Sequence, residues 1–495
     1  MGIQRGGFIH KDMRVIPELR LLPWVQEIVP MGFGKGKNKK TRRKPGSYLF
    51  VIPFGEGAFL KAFGLNCSTI NGPTMTVRLI LIGFLSFGPL QPILRAQSTD
   101  CVEKDITDVF SKKGKEIVPE VVMIKHPSII LIPVLASSPA TGFQLGVASQ
   151  FAWYNANPED TRISVASINF TYTAKSQILI TAKSTIMGEH DKWIFSGDWR
   201  YYVYSQSTYG LGTNAPVSAT VDDGINIGGV DTESTPGEEP MEFQWLRLHE
   251  TALREIKRNV YLGLGYHLDV YASILDKNLD VPNGKLTEHY TYSLAQGIDP
   301  NYYSMSGLSA NFVFDSRDNQ INPYKGFYVN AQYRYNTTVL GSTTNSGLAW
   351  LEVRGYKSLS ATKSRHILAG WAYTNFSAGG TLPYLGLPGT NYDMKNRSAR
   401  AYVQGRFRGE DLVYAEMEYR FPISKCSGVL GGVLFVNGTT ASNRTDAVKL
   451  FDYTKAGYGF GLRIAADKLS RTNIAIDVGF GEHSTGIYFG AAEVF

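Results

Sequence analysis

Charge and cysteine are both scarce in this chain of 495 residues. Only 19% of the residues are charged, and three cysteines are too few for a disulfide scaffold or a cysteine-based metal site. No long stretch repeats with the helical period of about 3.6 residues, which argues against a set of helical soluble domains. Phosphate-binding loops, zinc-ligand spacings and calcium-binding loops are also missing from the sequence. We therefore predict no metal and no cofactor.

The net charge of +7 does not indicate a nucleic-acid partner. The segment from Lys35 to Lys44 alone contributes seven basic residues and no acidic one. From Gln97 onward the chain has 36 basic and 39 acidic residues, a net charge of about −3. A protein that binds phosphate backbones needs a basic surface. The sequence therefore predicts no nucleic-acid partner.

The first 128 residues contain an export signal and no recognisable domain. Residues 75–96 combine an early positive charge, a short apolar run broken by proline and an Ala96–Gln97 junction, which is typical of a signal peptide. Residues 1–74 mix a basic run with Gly- and Pro-rich fragments. A start codon chosen too early explains them best, and a cytoplasmic extension is the alternative. Residues 97–128 are polar and too few for an independent domain, so we predict a short periplasmic segment there.

Two cysteines, Cys101 and Cys426, would remain after cleavage at residue 96. They could form a bridge if both lie in the periplasm. Two inert thiols are the expected state, and the sequence leaves the bridge open as the alternative.

From Ile129 to the end, apolar and polar residues alternate, and the chain is rich in glycine (51 residues) and aromatics (12%). This mixture is typical of many strands joined by turns. Most of the segments span about 10 to 14 residues, enough to cross a membrane at a tilt. We predict sixteen strands, at 129–135, 141–154, 160–173, 176–186, 192–204, 242–255, 258–272, 304–315, 325–336, 346–360, 364–377, 410–421, 427–437, 455–465, 471–480 and 485–495.

Two further features indicate a barrel with lipid outside and water inside. On the clearest strands one face is aromatic and the other polar, as in the run Trp193, Phe195, Trp199, Tyr201 and Val203 against Ser196, Asp198 and Arg200. The long connections, 205–241, 273–303, 378–409 and 438–454, all follow odd-numbered strands, whereas the others are short. Long loops on one rim and tight turns on the other are expected of an outer-membrane barrel. The fold class is therefore predicted as all-β, a transmembrane antiparallel β-barrel of residues 129–495.

The stretch 396–423 joins a basic loop to an acidic strand. Four arginines lie in the loop, and the strand that follows places Val413, Ala415, Met417, Tyr419 and Phe421 on one face and Tyr414, Glu416, Glu418 and Arg420 on the other. We interpret this as a loop folded back into an acidic lumen. The combination resembles the signature loop of the BamA/TamA (bacterial surface antigen) outer-membrane superfamily. The resemblance implies a plug-like sixth extracellular loop, with the motif residues Arg397, Arg400, Ala401, Tyr402, Gly405, Arg406 and Arg408.

Two other stretches resemble the same superfamily. The first is a periplasmic turn in which Asp and Asn cap their own backbone and proline fixes a bend; its motif residues are Asp315, Arg317, Asp318, Asn319, Pro323 and Gly326. The second is the closing hairpin, whose terminal aromatic residue completes an insertion signal formed by Ile487, Phe489 and Phe495. Alternation places Glu493 on the lipid face of that last strand, where the penalty is about 0 to 1 kcal/mol near an interface.

The chain also departs from the superfamily pattern. Ala401 replaces the glycine at the loop tip, and Asn437 stands where an acid is expected on strand thirteen. We therefore expect Arg400 to pair with Glu416, Glu418 or Asp477 in the lumen. The alternative is that the arginines are solvated loop charges that meet lipopolysaccharide phosphates. The segment 97–128 is too short for the POTRA repeats that precede such barrels.

The resemblance implies a role in inserting or translocating proteins, or lipids, at the bacterial outer membrane. A passive porin-like channel or transporter is the alternative function. The expected partners are outer-membrane lipid and lipopolysaccharide, with unfolded outer-membrane protein clients or an assembly partner. His249 beside Glu250 is a weak catalytic candidate, because a lumenal histidine is more often an ordinary polar side chain. We predict no enzymatic activity.

Overall fold

The computed structural model describes residues 103–110, 127–138, 142–215, 226–227, 230–231, 238–360, 365–424 and 426–495. The predicted extension 1–74, the predicted signal peptide 75–96, Cys101 and most of the segment 97–128 lie outside these ranges. Within them, no helix is long and apolar enough to cross a membrane.

In the described part of the chain, sixteen strands form one antiparallel sheet, and each strand pairs with its neighbours in this sheet. This confirms the predicted all-β barrel of about sixteen strands. The strands are β1 (Ser128–Ser138), β2 (Gly142–Trp153), β3 (Ser164–Thr173), β4 (Ile178–Met187), β5 (Trp193–Thr208), β6 (Glu239–Lys257), β7 (Val260–Asp276), β8 (Tyr303–Asp315), β9 (Gly326–Asn336), β10 (Ser346–Ser358), β11 (Ile367–Gly380), β12 (Asp411–Pro422), β13 (Leu430–Ala441), β14 (Lys455–Asp467), β15 (Thr472–Gly481) and β16 (Ser484–Ala491).

The other regular elements of the described residues are short. They are helix α1 (Ile106–Phe110), helix α2 (Glu288–Ala295), the 3-10 turns Glu189–Asp191, Val281–Asn283, Thr338–Leu340 and Tyr384–Gly386, and a small hairpin of Asn226–Ile227 with Val230–Asp231. Thr287 caps the N-terminus of helix α2, because its side chain accepts a hydrogen bond from the Tyr290 amide. Among the connections, the long ones again follow odd-numbered strands, which places them on one rim.

The alternation in the sequence matches the two faces of the wall. On β12, Glu416 and Glu418 are buried inside, whereas Met417 between them is 54% exposed on the outside. Apolar side chains cover the outer face along the other strands too, including Phe143, Leu145, Val147, Ile168, Phe170, Trp199, Leu264, Leu308, Phe327, Leu434, Tyr458 and Phe460. An apolar outer band and a polar interior are what a barrel in lipid requires.

Aromatic side chains fill much of the interior. One cluster gathers the lumenal faces of β5 to β8, with Trp245 stacked on Tyr271 at 5.7 Å. A second cluster lies against β11 and β12, where Trp371 meets Tyr414 edge-on at 5.2 Å. Both clusters include residues of the connection 381–410, which we call loop L6. L6 is therefore part of the packed interior.

The first and last strands form a seam. Within the described residues β1 and β16 are the two ends of the sheet, and no strand ladder joins them. Side chains bridge the seam near its periplasmic end instead. Ser128 donates to Asp467 at 2.6 Å, and Gln150 donates to Thr472 at 2.8 Å. The barrel is thus nearly closed.

The C-terminus corrects one prediction. The last strand ends at Ala491 and does not continue to residue 495, because Ala492 adopts a left-handed backbone with φ of 72°. The turn directs the final residues inward. The Glu493 carboxylate, predicted on the lipid face, is buried and pairs with Arg463 at 2.7 Å. Phe495 is also buried, 5.3 Å from the Trp371 ring, so it does not extend the lipid-facing series of Ile487 and Phe489.

Candidate functional site

Arg400 is the centre of the candidate site. Its side chain leaves L6 and reaches three carboxylates on the lumenal wall: Glu416 and Glu418 of β12 and Asp477 of β15. The Arg400 Nη1 to Asp477 Oδ2 distance is 2.9 Å, and Nη2 contacts one oxygen of each glutamate. All four side chains have 0% exposure. The structure therefore brings together the arginine and all three acids that the sequence offered as alternatives.

Neighbouring groups hold these acids in place. Asp477 also accepts from Arg463 at 2.6 Å, Glu418 accepts from Arg420 at 2.8 Å, and Glu416 accepts from the Tyr414 hydroxyl at 2.5 Å. Charge-assisted bonds of this kind are the strong ones in protein interiors. The network links L6 to β12, β14 and β15.

The Arg400 guanidinium also lies over an aromatic ring. Its central carbon is 3.7 Å from the centroid of Phe435 on β13. The neighbouring Asn437, which replaces the expected acid, donates to the Arg400 carbonyl at 3.2 Å and to Glu416 at 3.4 Å. Asn437 therefore positions the arginine without adding a charge.

Ala401, in place of the tip glycine, keeps a conformation that favours glycine. Its φ is 131°. The barrel wall supplies the space instead. A Cβ on Gly479 would lie 3.0 Å from the Ala401 nitrogen, and one on Gly457 would lie 3.2 Å from the Ala401 Cβ. The adjacent Tyr402 lies against Gly481 and donates to the Ala456 carbonyl at 2.7 Å. Close approach of loop and wall is preserved because the wall is glycine-rich here.

Asp393 shapes the start of the motif, a role that sequence reasoning missed. Its carboxylate accepts from the amides of Lys395 and Ser398 and from the Ser398 hydroxyl, at 2.9, 3.0 and 2.7 Å. An aspartate that caps its own turn is a recognisable local signal, but it lies in a loop, outside the alternating pattern of the strands. Arg397 then donates to the Phe489 carbonyl of β16 at 2.6 Å.

The last two loop arginines have other partners than the lumenal acids. Arg408 donates to the carbonyls of Tyr384 and Leu385, both at 3.1 Å, and to the Tyr392 hydroxyl at 2.9 Å. Arg406 lies over the Tyr209 ring at 4.9 Å. Between these arginines and the rest of the motif, Gly405 turns the chain with φ of 73°. This half of the motif folds L6 onto itself and onto the β5–β6 connection.

The predicted periplasmic turn lies between β8 and β9. Asp315 binds Arg317 through two bonds of 2.9 and 2.8 Å. Asp318 accepts from the amide of Tyr324 at 2.9 Å, and Asn319 accepts from the amide of Ile321 at 2.8 Å. The chain passes Pro323 and restarts at Gly326, where φ is 108° and a Cβ would lie 2.4 Å from the Ser316 carbonyl oxygen.

This turn also reaches other parts of the periplasmic end. Arg471, from the β14–β15 turn, binds Asp318 at 2.7 Å. Ile321 packs with Ala152 of β2 and Ile163 of the following connection. Since β8 and β9 lie half a barrel away from the seam, the turn connects opposite sides of the periplasmic mouth.

The structure separates the weak catalytic pair. His249 faces the lumen, where its Nε2 lies 2.8 Å from Asp269. Asp269 also binds Arg247 at 2.8 Å and Arg334 at 2.7 Å. Glu250 faces outward and accepts from the Trp199 indole at 2.6 Å. The part of the chain that the structure describes contains no cluster of three or more metal-ligating side chains.

Part of this barrel matches a known protein family. Residues 251–492 match the Omp85 superfamily domain. No curated protein matches the chain in sequence.

Several solved structures are similar to this chain, and three of them overlap with it over most of its length. BamA from Haemophilus ducreyi, lacking POTRA domains 1–3, is 13% identical with a TM-score of 0.46, covering 74% of this chain and 70% of its own. CdiB from Acinetobacter baumannii is 10% identical with a TM-score of 0.39, covering 72% and 62%. Wzi, a carbohydrate-binding β-barrel involved in group 1 capsule assembly in Escherichia coli, is 9% identical with a TM-score of 0.26, covering 75% and 83%. The superfamily match covers residues 251–492, so the C-terminal part of this barrel resembles the Omp85 superfamily domain, and the chain is a bacterial outer-membrane β-barrel protein.

Proposed function

We propose that this protein inserts β-barrel clients into the outer membrane by offering the edges of β1 and β16 to an incoming strand. The seam is the observation that carries the proposal. Fifteen neighbouring strand pairs are joined by ladders, whereas no ladder joins β1 to β16 in the described residues. An unpaired strand edge presents N–H and C=O groups that pair readily with another chain. A client hairpin would add to this edge and leave into the surrounding lipid.

In this proposal L6 acts as the plug that keeps the lumen closed while the seam opens. The contacts from Arg400 to β12 and β15 support this role, because they join the loop to the wall on the C-terminal side of the seam. Arg397 adds a bond to β16 itself. The partners would be unfolded outer-membrane protein clients, or an assembly protein that delivers them, in a membrane of lipid and lipopolysaccharide.

A reversible lock across the seam tests the proposal. Ser128→Cys with Asp467→Cys places two thiols where native side chains lie 2.6 Å apart, and a short bifunctional thiol reagent that reductant can cleave joins them. The control is Val329→Cys with Val353→Cys, a register pair inside the continuous wall and away from the seam. In cells depleted of the native protein, the seam-locked protein should fail to restore the outer-membrane protein profile. Reductant should restore it, and the control lock should have no effect. Normal assembly with the seam locked would overturn the proposal.

The porin-like alternative makes a different prediction. A passive channel conducts steadily in a planar bilayer with L6 intact, whereas a plugged assembly barrel conducts only after residues 396–409 are removed. Steady conductance of the intact protein, together with an unchanged protein profile on depletion, would favour the channel.

A further inference from the structure

A cavity of about 810 Å³ lies in the lumen, between the underside of L6 and the periplasmic turn. Its walls include Ile132 and Pro133 of β1 and residues 485–491 of β16, so it lies directly behind both sides of the seam. The remaining walls come from β2 to β5, from L6 and from the periplasmic turn. The cavity is thus enclosed by continuous sheet on one side and by the one unladdered stretch of wall on the other.

The charged residues that line this cavity are mostly basic. Five basic residues line it, Lys183, Arg317, Arg354, Lys395 and Arg397, against the two acids Asp315 and Glu493. Both acids are already engaged, Asp315 by Arg317 and Glu493 by Arg463. Arg354 is likewise paired, with Glu352 at 2.6 Å. The excess positive charge therefore resides on Lys183, Lys395 and Arg397.

These three cations lack a carboxylate partner within ion-pair distance in the part of the chain that the structure describes. Lys183 projects from β4, and Lys395 and Arg397 belong to L6. The two carboxylates that interact electrostatically with Lys183 already have other hydrogen-bond partners. Asp198 binds Arg200 at 2.7 Å, and Asp393 caps the L6 backbone. Buried or half-buried cations without a counter-charge are costly, which makes them candidates for a ligand site.

Arg397 also has one unsatisfied donor. Its Nη2 donates to the Phe489 carbonyl on β16, whereas its Nη1 is buried and has no hydrogen-bond partner among the described residues. Amide and hydroxyl side chains that can donate further bonds surround the same space, including Gln144, Asn169, Thr171, Asn396 and Gln404. Several cations combined with neutral donors suit a phosphate group, which carries more acceptor oxygens than a carboxylate.

We propose that this cavity binds the phosphate of a phospholipid headgroup, with Lys183, Lys395 and Arg397 as its cationic ligands and the acyl chains passing out through the seam. The site deepens the proposed function, because it uses the same seam and would place a lipid where the client edge opens. Free phosphate has the same binding chemistry, and competition with inorganic phosphate separates the two sources.

Native mass spectrometry of the full chain in detergent measures the binding directly. The probes are dihexanoyl phosphatidylglycerol, dihexanoylglycerol without a phosphate, and inorganic phosphate. We expect one phosphatidylglycerol per chain and no binding of dihexanoylglycerol. The double variant Lys183→Gln with Lys395→Gln should bind phosphatidylglycerol about ten-fold more weakly, or weaker still. Lys183→Arg with Lys395→Arg should retain binding, and Lys277→Gln, which removes an exposed charge paired with Glu242, should have no effect.

Competition by inorganic phosphate identifies the source. If it displaces phosphatidylglycerol at similar concentration, the phosphate alone is recognised; if it does not, the lipid headgroup is the ligand. Equal binding of dihexanoylglycerol, or undiminished binding by the glutamine variants, overturns the site. Folding is checked by the mobility shift of the unheated barrel in gel electrophoresis. If the double variant does not fold, binding is measured with the single variants Lys183→Gln and Lys395→Gln. None of these readouts depends on client insertion, so the seam proposal and the lipid site can fail separately.

Discussion

The backbone of Ala401 lies against Gly479 so closely that a Cβ on Gly479 would be 3.0 Å from the Ala401 nitrogen and 3.0 Å from the Arg400 carbonyl oxygen. Loop tip and barrel wall are therefore complementary. The loop residue with a side chain occupies a positive φ, and the wall residue opposite has no side chain at all.

Gly479→Ala should weaken the docking of L6. The added methyl meets backbone atoms, which cannot rotate away, so we expect a destabilisation of about 1 to 3 kcal/mol from overpacking. Gly370→Ala on β11 is the matched control, because a Cβ there meets nothing within 4 Å. The temperature at which the barrel loses its electrophoretic mobility shift measures the difference. Equal unfolding temperatures for the two variants would show that the contact is not tight.

Ala401→Gly should have the opposite effect. A residue with φ of 131° is strained when it carries a Cβ, and such strain is worth about 1 to 3 kcal/mol. Glycine removes the strain but gains freedom in the unfolded chain, which offsets part of the benefit. We expect a small increase in thermal stability in the same assay. Ala399→Gly, with φ of 55°, tests whether the effect is specific to the tip. A loss of stability in Ala401→Gly would refute the strain argument.

The Arg400 network predicts that Glu416→Gln changes the stability of the barrel in opposite directions in the native protein and in the Arg400→Ala variant. In the native protein, Glu416→Gln removes a partner of a buried arginine and should destabilise the barrel. Arg400→Ala leaves three buried carboxylates without their shared cation and should cost about 3 to 5 kcal/mol. In that background Glu416→Gln removes an uncompensated charge and should stabilise. A double-mutant cycle on thermal unfolding measures the coupling. Additive effects of the two substitutions would mean that Arg400 does not hold the loop through Glu416.

Sequence reasoning predicted the strands well because their signal is local. Alternation with a period of two identifies a strand wherever one face meets lipid and the other meets water. It underestimated β5, which continues to Thr208, because Ser205, Gln206 and Ser207 lie beyond the aromatic stretch and carry no apolar side chain. It failed at Glu493 because one left-handed residue, Ala492, reverses which face the following side chains reach.

The candidate site was harder to predict, since its contacts join distant segments. Arg400 and Asp477 are 77 positions apart, and alternation alone says only that Asp477 faces the lumen. The resemblance to a known loop motif supplied the arginine, and the polar strand faces supplied three possible acids. Nothing in the sequence indicated that one guanidinium would contact all three. The roles of Asp393 and of the wall glycines follow from the shape of the loop, which no local pattern encodes.

Cys426 is disulfide-bonded. The expectation of an inert thiol is therefore wrong for Cys426. Its partner lies outside the described residues, so the alternative, a bridge to Cys101, stays untested. One neighbouring contact favours it: the Lys104 amide donates to the Ser427 carbonyl at 2.9 Å, which places the start of the described N-terminal segment beside Cys426. We expect Cys101→Ser and Cys426→Ser each to abolish the same change in mobility between reduced and non-reduced protein. A persistent change in Cys101→Ser would assign the bond to another thiol.

The docking of helix α1 should depend on pH and weaken in acid. Burial raises the pKa of Asp108, but the hydrogen bond and the charge of Lys468, 2.7 Å away, outweigh it and hold the pKa below its ordinary value. A carboxyl whose pKa is lower in the docked state stabilises docking at neutral pH and loses that contribution as the carboxylate is protonated, so docking should weaken below about pH 4. Amide exchange of residues 103–110 at successive pH values measures it. Asp108→Asn should dock more weakly at neutral pH and lose most of the acid dependence, whereas an unchanged acid transition in Asp108→Asn would assign it to another group.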